Sequence, residues 1–359
     1  MINRFIKKHS KNLYIFFLCL SLILFFFSTD KVYAKSFNIE NIEVSKPFEI
    51  NFDKNKVIDE GFINAFSELI SLITVSSDHR IMKKIKLNQI RGMIESFSIK
   101  EEKFIDEIYY VNLGVSFNKK KILNFLEKKN IFPSIPIKKN FLFIPIIIEE
   151  NKENLLVFSN NKFYDEWNND SESFYLIDYI LPTEDLEDLN LIKKQYDLIE
   201  QYDFKEITSK YYLDDSIIAL IFINQKTIRI LSRITVKDKV VLINQSFSNI
   251  DINNTDQLST IIKSLKIMYE DYWKNFNQIN TSIKLPIYIK VNSGDNLKVS
   301  RLENTLDEVN LIYDYFILKF DKDFIYYQII YNGTPDIFLK SMEKQNFNFN
   351  TQNKTWVLK

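Results

Sequence analysis

Cysteine and histidine are nearly missing from this chain. Cys19 is the only cysteine, and His9 and His79 are the only histidines. Zinc sites of the Cys or multi-His kind need several such ligands and are excluded. A disulfide framework is excluded as well. A Ser-His-Asp triad would have to use His79. Glycine stops at five residues, Gly61, Gly92, Gly114, Gly294 and Gly333, no two of them close together. A loop that cradles phosphate needs clustered glycines so that backbone N–H groups can approach the anion. P-loop and dinucleotide fingerprints are therefore absent, and the sequence calls for no cofactor, no metal and no identifiable catalytic residue.

What is present begins with an export signature. Arg4, Lys7, Lys8 and Lys11 form a basic flank, residues 13–27 are apolar apart from Ser21, and Val32-Tyr33-Ala34 offers a small-residue cleavage site. These are the three marks of a secretory signal peptide, here 1–34 with cleavage after Ala34. A spanning helix usually needs ~20 apolar residues. The alternative is an uncleaved inner-membrane anchor at 13–27; in both cases the bulk of the chain is translocated. Cys19 lacks the small-residue box of a lipoprotein cysteine. Cleavage would remove Cys19 and His9 and leave 42 basic against 46 acidic residues, a net charge of −4. That balance gives no electrostatic footprint for nucleic acid or for an anionic membrane face.

Hydrophobic residues make up 46% of the chain, enough for two or three cores. Three segments follow the signal. Residues 35–140 read as β-α-α-β-β-α. A strand over 37–44 precedes a strong amphipathic helix over 57–75, with Phe62, Phe66, Leu69 and Ile73 on one stripe. Asp78 is placed to cap a helix or broken helix pair over 81–97. Strands over 96–104 and 108–117 come next, and Asn118 caps a helix over 119–129. Pro133, Pro136 and Lys138-Lys139 make a linker.

Residues 141–282 open with the apolar run 141–148. Such a run suits a strand covered on both faces, while Pro145 marks it as broken, bulged or at an edge. A helix over 160–168, an apolar segment over 174–181, and helices over 186–202 and 204–211 follow. Strands over 216–222, 227–236 and 239–247 come next, with Asp238 in a tight hairpin turn. A long helix capped by Thr255 or Asp256 closes the segment. Residues 283–359 read as β-α-β-β-α-β, the ferredoxin-like split unit. The expected fold is thus α+β or α/β, in three small mixed domains.

The helix around Glu60-Gly61-Phe62, the strand ending Val115-Ser116-Phe117-Asn118, the Pro145 strand, the run from Leu181 to Asp188, the segment 211–223 and the terminal Trp356-Val357-Leu358 together carry a resemblance. By order and pattern the chain resembles the alphaproteobacterial envelope family catalogued as domain of unknown function 2066. That resemblance covers nearly the whole translocated part. It implies a secreted protein of unknown biochemical role and carries over no site residues. At fold level, 141–277 is similar to the TolB amino-terminal domain and to periplasmic domains of the curli-secretion and penicillin-binding-protein-activator lipoproteins. Those domains bind other envelope proteins.

Four residue groups invite a functional reading. Glu184, Asp185, Glu187 and Asp188 could hold Ca²⁺, but no glycine is near for a calcium loop. Thr183 as a helix cap with acids in the first turn explains them better. His79 beside Ser76, Ser77 and Asp78 reads as a helix-start histidine near solvent. The doublets Tyr109-Tyr110, Tyr211-Tyr212 and Tyr326-Tyr327 must, where they lie on strands, turn one ring outward. Lys119-Lys120-Lys121 and Lys128-Lys129 read as solvated helix ends or contacts to lipid headgroups. The expected role is a noncatalytic periplasmic binding or adaptor module for another envelope protein. The alternatives are a carboxylate-dependent hydrolase of cell-wall glycan, which needs two convergent acids in a cleft, and a small-ligand binder, which needs one enclosed aromatic pocket.

Overall fold

The structure is a computed structural model describing residues 37–359 other than Lys83, Glu153 and 170–174. The expected signal segment, with His9, Cys19 and the Ala34 cleavage site, lies outside the described residues, as does Phe174. The described residues form one compact body and contain three sheets. The architecture is mixed α and β in small layers, the class expected from the sequence.

The first sheet pairs β1 (Asn38–Pro47), β3 (Ile108–Phe117) and β2 (Ile94–Ile105) in that spatial order, all antiparallel. The helix α1 (Lys54–Ile73) covers one face with Val57, Phe62, Phe66, Leu69, Ile70 and Ile73, residues at helical spacing. Asp53 caps it by accepting from the Asn55 backbone N–H at 2.9 Å. Gly61 lies on the same stripe, where a Cβ would collide with Leu113 of β3. Its missing side chain lets helix and sheet close.

The helix expected over 81–97 is two short ones, α2 (His79–Met82) and α3 (Leu87–Met93), and the strand already begins at Ile94. Asp78 caps neither; it lies inside the 3-10 turn Ser76–Asp78. The helix α4 (Lys119–Glu127) is capped by Asn118, whose side chain accepts from the Lys121 N–H at 3.0 Å.

The second sheet is built on β4 (Lys139–Glu149). Around it lie β5 (Asn154–Leu156), β6 (Ile177–Ile180), β7 (Ser216–Asn224), β8 (Thr227–Val236) and β9 (Lys239–Ser248), in the order β5-β4-β7-β8-β9 with β6 also on β4. Helices cover both faces. On one, α5 (Lys162–Glu166) and the long α8 (Thr255–Phe276) bury Phe143, Trp167, Ile230, Leu265 and Tyr269. On the other, α6 (Leu186–Lys194) and α7 (Lys205–Thr208) bury Ile144, Leu220, Phe204 and Ile207. This two-sided cover is why β4 is apolar from Phe141 to Ile148. The helix expected over 186–202 ends at Lys194, and that over 204–211 keeps only α7 before a 3-10 turn. Asn254, rather than Thr255 or Asp256, caps α8.

Pro145 does not break β4. It pairs with Ala219 of β7 on one side. On the other side β6 reaches only Leu142 and β5 starts at Ile147, which leaves a gap. A residue without an N–H costs nothing where no strand pairs. Asn161 seals the gap. Its Nδ2 lies 2.9, 3.0 and 3.1 Å from the carbonyls of Pro145, Leu156 and Val157, while its Oδ1 caps α5 by accepting from Phe163 and Tyr164.

The third sheet contains β10 (Leu285–Asn292), β11 (Ile312–Phe320), β12 (Phe324–Tyr331), β13 (Phe349–Asn350) and β14 (Trp356–Leu358), in the order β11-β12-β10-β14-β13. Two helices, α9 (Asn296–Glu308) and α10 (Pro335–Glu343), bury Leu302, Phe338 and Met342 against Ile289, Tyr327 and Ile329. Pro335 takes the first turn of α10, where its missing N–H is harmless. The element order adds β13 to the expected β-α-β-β-α-β unit. The closing strand β14 runs parallel to β10 and antiparallel to β13.

Candidate functional site

The structure half-buries His79 at the junction of the first region with α8. Burial, reinforced by the Lys274 ammonium, holds the imidazole below its ordinary pKa. Its Nε2 has no hydrogen-bond partner among the described residues. The nearby polar groups act as staples. The Ser76 N–H donates to Asp271 Oδ1 at 2.8 Å and its hydroxyl donates to the other carboxylate oxygen, while Lys274 Nζ donates to the Ser71 carbonyl. A triad needs the hydroxyl bonded to the imidazole. Here the hydroxyl goes to the carboxylate. One turn along, Glu270 Oε1 accepts from the N–H groups of Leu176 and Ile177 at 2.9 and 2.8 Å, and burial raises its pKa.

The acids at 184–188 also resolve into structure. Asp185, rather than Thr183, caps α6 by accepting from the Glu187 N–H at 2.7 Å. Lys210 bridges Asp185 at 3.2 Å and the buried Asp188 at 2.6 Å, which holds its own pKa well above the ordinary lysine value. Thr183 instead receives the Tyr211 oxygen on its N–H at 3.1 Å. Among the described residues, no three carboxylate, imidazole or thiol groups converge as a metal site would require.

Two lysines of α4 are joints to the third region, while Lys121 Nζ donates to the Gly92 carbonyl of the first. Lys119 Nζ donates to the Val309 carbonyl at 2.8 Å, and its enclosed ammonium is pushed down to about 8 by burial. Lys120 pairs with Asp314, and Asn124 accepts from the Tyr313 hydroxyl at 2.6 Å. The tyrosine doublets alternate as strand geometry demands. Tyr109 is 5% exposed and Tyr110 40%; Tyr327 is buried and Tyr326 half-buried.

What the sequence reading missed is the outer edge of β9. This strand closes the second sheet, and its ten residues pair with β8 in unbroken register, Thr227 opposite Ser248 through Val236 opposite Lys239. Among the described residues no strand covers its other side. From Val240 to Ser248 it carries no charge, no proline and no bulge. Val240 and Leu242 are each 56% exposed, and Val241 37%. Natural edge strands are normally blunted by charges, proline or bulges, because free N–H and C=O groups template pairing with another chain. The signal for this site was in the sequence as an apolar run, Val240-Val241-Leu242-Ile243, but such a run also describes a doubly covered strand.

Beside the start of β9 opens a groove of about 730 Å³, between α7 and the sheet. Ser216, Ile218 and Thr235 line its floor, and Phe204, Leu213 and Val240 its apolar walls. Asp203, Glu206, Asp214 and Asp238 stand on its rim, all exposed. A general acid is tuned by burial or by a close second carboxylate. Exposed carboxylates of this kind are suited to attracting a cationic group.

No family model matches the chain, and no curated protein matches it.

Proposed function

We propose that the protein is a noncatalytic, exported component of the cell envelope that binds another envelope protein by accepting an extended segment along β9. The observation that carries the reading is the unguarded edge from Val240 to Ser248 with its exposed valines and leucine. Strand addition of this kind takes affinity from main-chain hydrogen bonds and specificity from alternate side chains. Export rests on the basic flank, the apolar run and the Ala34 site of residues 1–34, and the envelope assignment on the resemblance to the domain of unknown function 2066 family. The test is a photoreactive side chain at Asn244, activated in intact cells. The expected result is a discrete adduct in the envelope fraction that disappears when Leu242→Lys is added. Full-length chain with Met1 intact among cytosolic proteins would defeat the export half. An adduct pattern unchanged by Leu242→Lys would defeat the β9 half.

A further inference from the structure

Resting on that reading, we infer that the segment taken by β9 is cationic on one face, its lysine or arginine side chains lying over the acidic groove beside Val240. The groove leaves part of its charge unbalanced. Two cations line it. Arg233 is committed to the chain itself: its guanidinium donates to the carbonyls of Tyr202 and Glu200, and it lies 6.0 Å from the centre of the Phe204 ring. Lys205 stands 4.0 Å from Asp203. Glu206, Asp214 and Asp238 make no ion pair among the described residues. Beside the Asp203–Lys205 pair, the rim therefore presents three carboxylates without an ion-pair partner among the described residues.

The lysines that flank Asp238 do not cancel it on this side. Side chains of a strand alternate between its faces. Lys239 shares the face of Val241, opposite to Val240, and Lys237 Nζ lies 5.4 Å from the Phe276 ring, on the side of α8. The groove face of β9 is thus Val240 and Leu242 followed by Asn244, Ser246 and Ser248, apolar at the groove and polar beyond.

The geometry then sets the chemistry of the occupant. A strand added to β9 lies about 4.8 Å outside it. Its alternate side chains on the groove face pass over Val240 and Leu242. An apolar stem with a charged head can cover the two apolar side chains and place its ammonium or guanidinium at the rim. An acidic segment would meet like charge at the same place. A second copy of this chain would bring Ser246, Asn244 or Val240 and Leu242 to that face, with no cation among residues 240–248 to meet the carboxylates.

The test uses the purified chain and two labelled synthetic peptides with the same ten-residue alternating Thr-Val core. One is flanked by two lysines at each end, the other by two glutamates. Fluorescence anisotropy at low salt should show the lysine peptide binding at least ~10-fold more tightly, and the advantage should fade towards 0.5 M NaCl as exposed charges are screened. The triple variant Glu206→Gln, Asp214→Asn, Asp238→Asn should remove the advantage, and Leu242→Lys should weaken both peptides; thermal melts check that each variant folds. Equal affinity of the two peptides overturns the cationic inference and leaves strand addition standing. Failure of both to bind, or binding that ignores Leu242→Lys, overturns both. A dimer in light scattering that Leu242→Lys dissociates assigns the edge to a second copy and also overturns the inference.

Discussion

The strands β2 and β9 both end a sheet, and they are protected in opposite ways. β2 carries Glu95, Lys100, Glu101, Glu102 and Lys103, and its pairing with β3 slips between Ile94 and Ser96 and again between Ile99 and Glu101. It exposes Phe97, Phe104 and Ile105, yet charge and bulges interrupt any template it could offer. β11 follows the same pattern, with Asp314, Lys319 and two irregularities against β12. The gap in β4 at Pro145 is plugged by Asn161. Beyond Lys239 at its first position, β9 has none of these devices from Val240 to Ser248. The difference teaches that exposure of apolar side chains is not what singles out an interaction strand in this molecule; regular, uncharged backbone is.

The largest effect should come from unplugging β4. Asn161→Ala removes the cap of α5 and leaves buried carbonyls without a donor. A lost cap and an orphaned buried polar group together should cost about 3 kcal/mol. Urea denaturation measures it, and a loss below about 1 kcal/mol would mean that Asn161 is not the seal. Next, Leu242→Lys should weaken partner binding ~10-fold or more while shifting stability by less than about 0.5 kcal/mol, as surface changes do. Titration against the captured partner and a melt separate the two.

A smaller effect is expected from stripping the guards of β2. Lys100→Thr, Glu101→Thr and Lys103→Thr together should produce concentration-dependent association in light scattering. A strictly monomeric variant would show that these three charges do not protect β2 and that the bulges, with Glu95 and Glu102, suffice.

The smallest effect is pH-dependent and lies at the junction around His79, where Asp78, Asp271 and Lys274 are its charged neighbours. The folded pKa lies below the ordinary 6.5, so the unfolded chain takes up the proton first as pH falls. Stability should therefore decline as pH drops through 6.5 towards the folded value. Glu270 and Asp78, whose pKa values are raised by burial, act in the opposite sense at lower pH. Urea midpoints at pH 7.5 and 5.5 should differ in the parent and differ less in His79→Gln; an unchanged difference would remove His79 as the cause.

Much of the fold was legible because long elements repeat one period many times. α1 and α8 show their stripes over five turns or more, and β3 alternates from Tyr109 to Phe117. Short elements were overread. The helix over 186–202 stops at Lys194 because the residues after it close a 3-10 turn, a choice that few local contacts decide. Caps slipped by one or two residues, Asp185 for Thr183 and Asn254 for Thr255, because several neighbours carry a suitable oxygen. His79 does start a short helix, as expected, but it is half-buried rather than near solvent, for a different reason. Its surroundings come from α8, and the Ser76–Asp271 bond that seats the junction spans 195 residues of chain.

By itself the amino-acid sequence determined which side chains share a face, since backbone geometry repeats every 3.6 residues in a helix and every two in a strand. It also determined which chemistries lack their ligands. Only the tertiary structure decided that Val240 to Ser248 would lie at the rim of a sheet rather than inside one, and that the acids at 203, 206, 214 and 238 would gather beside it. The physical reason is that a strand's number of neighbours depends on pairing with distant segments, whereas its own residues record only that both of its faces tolerate apolar side chains.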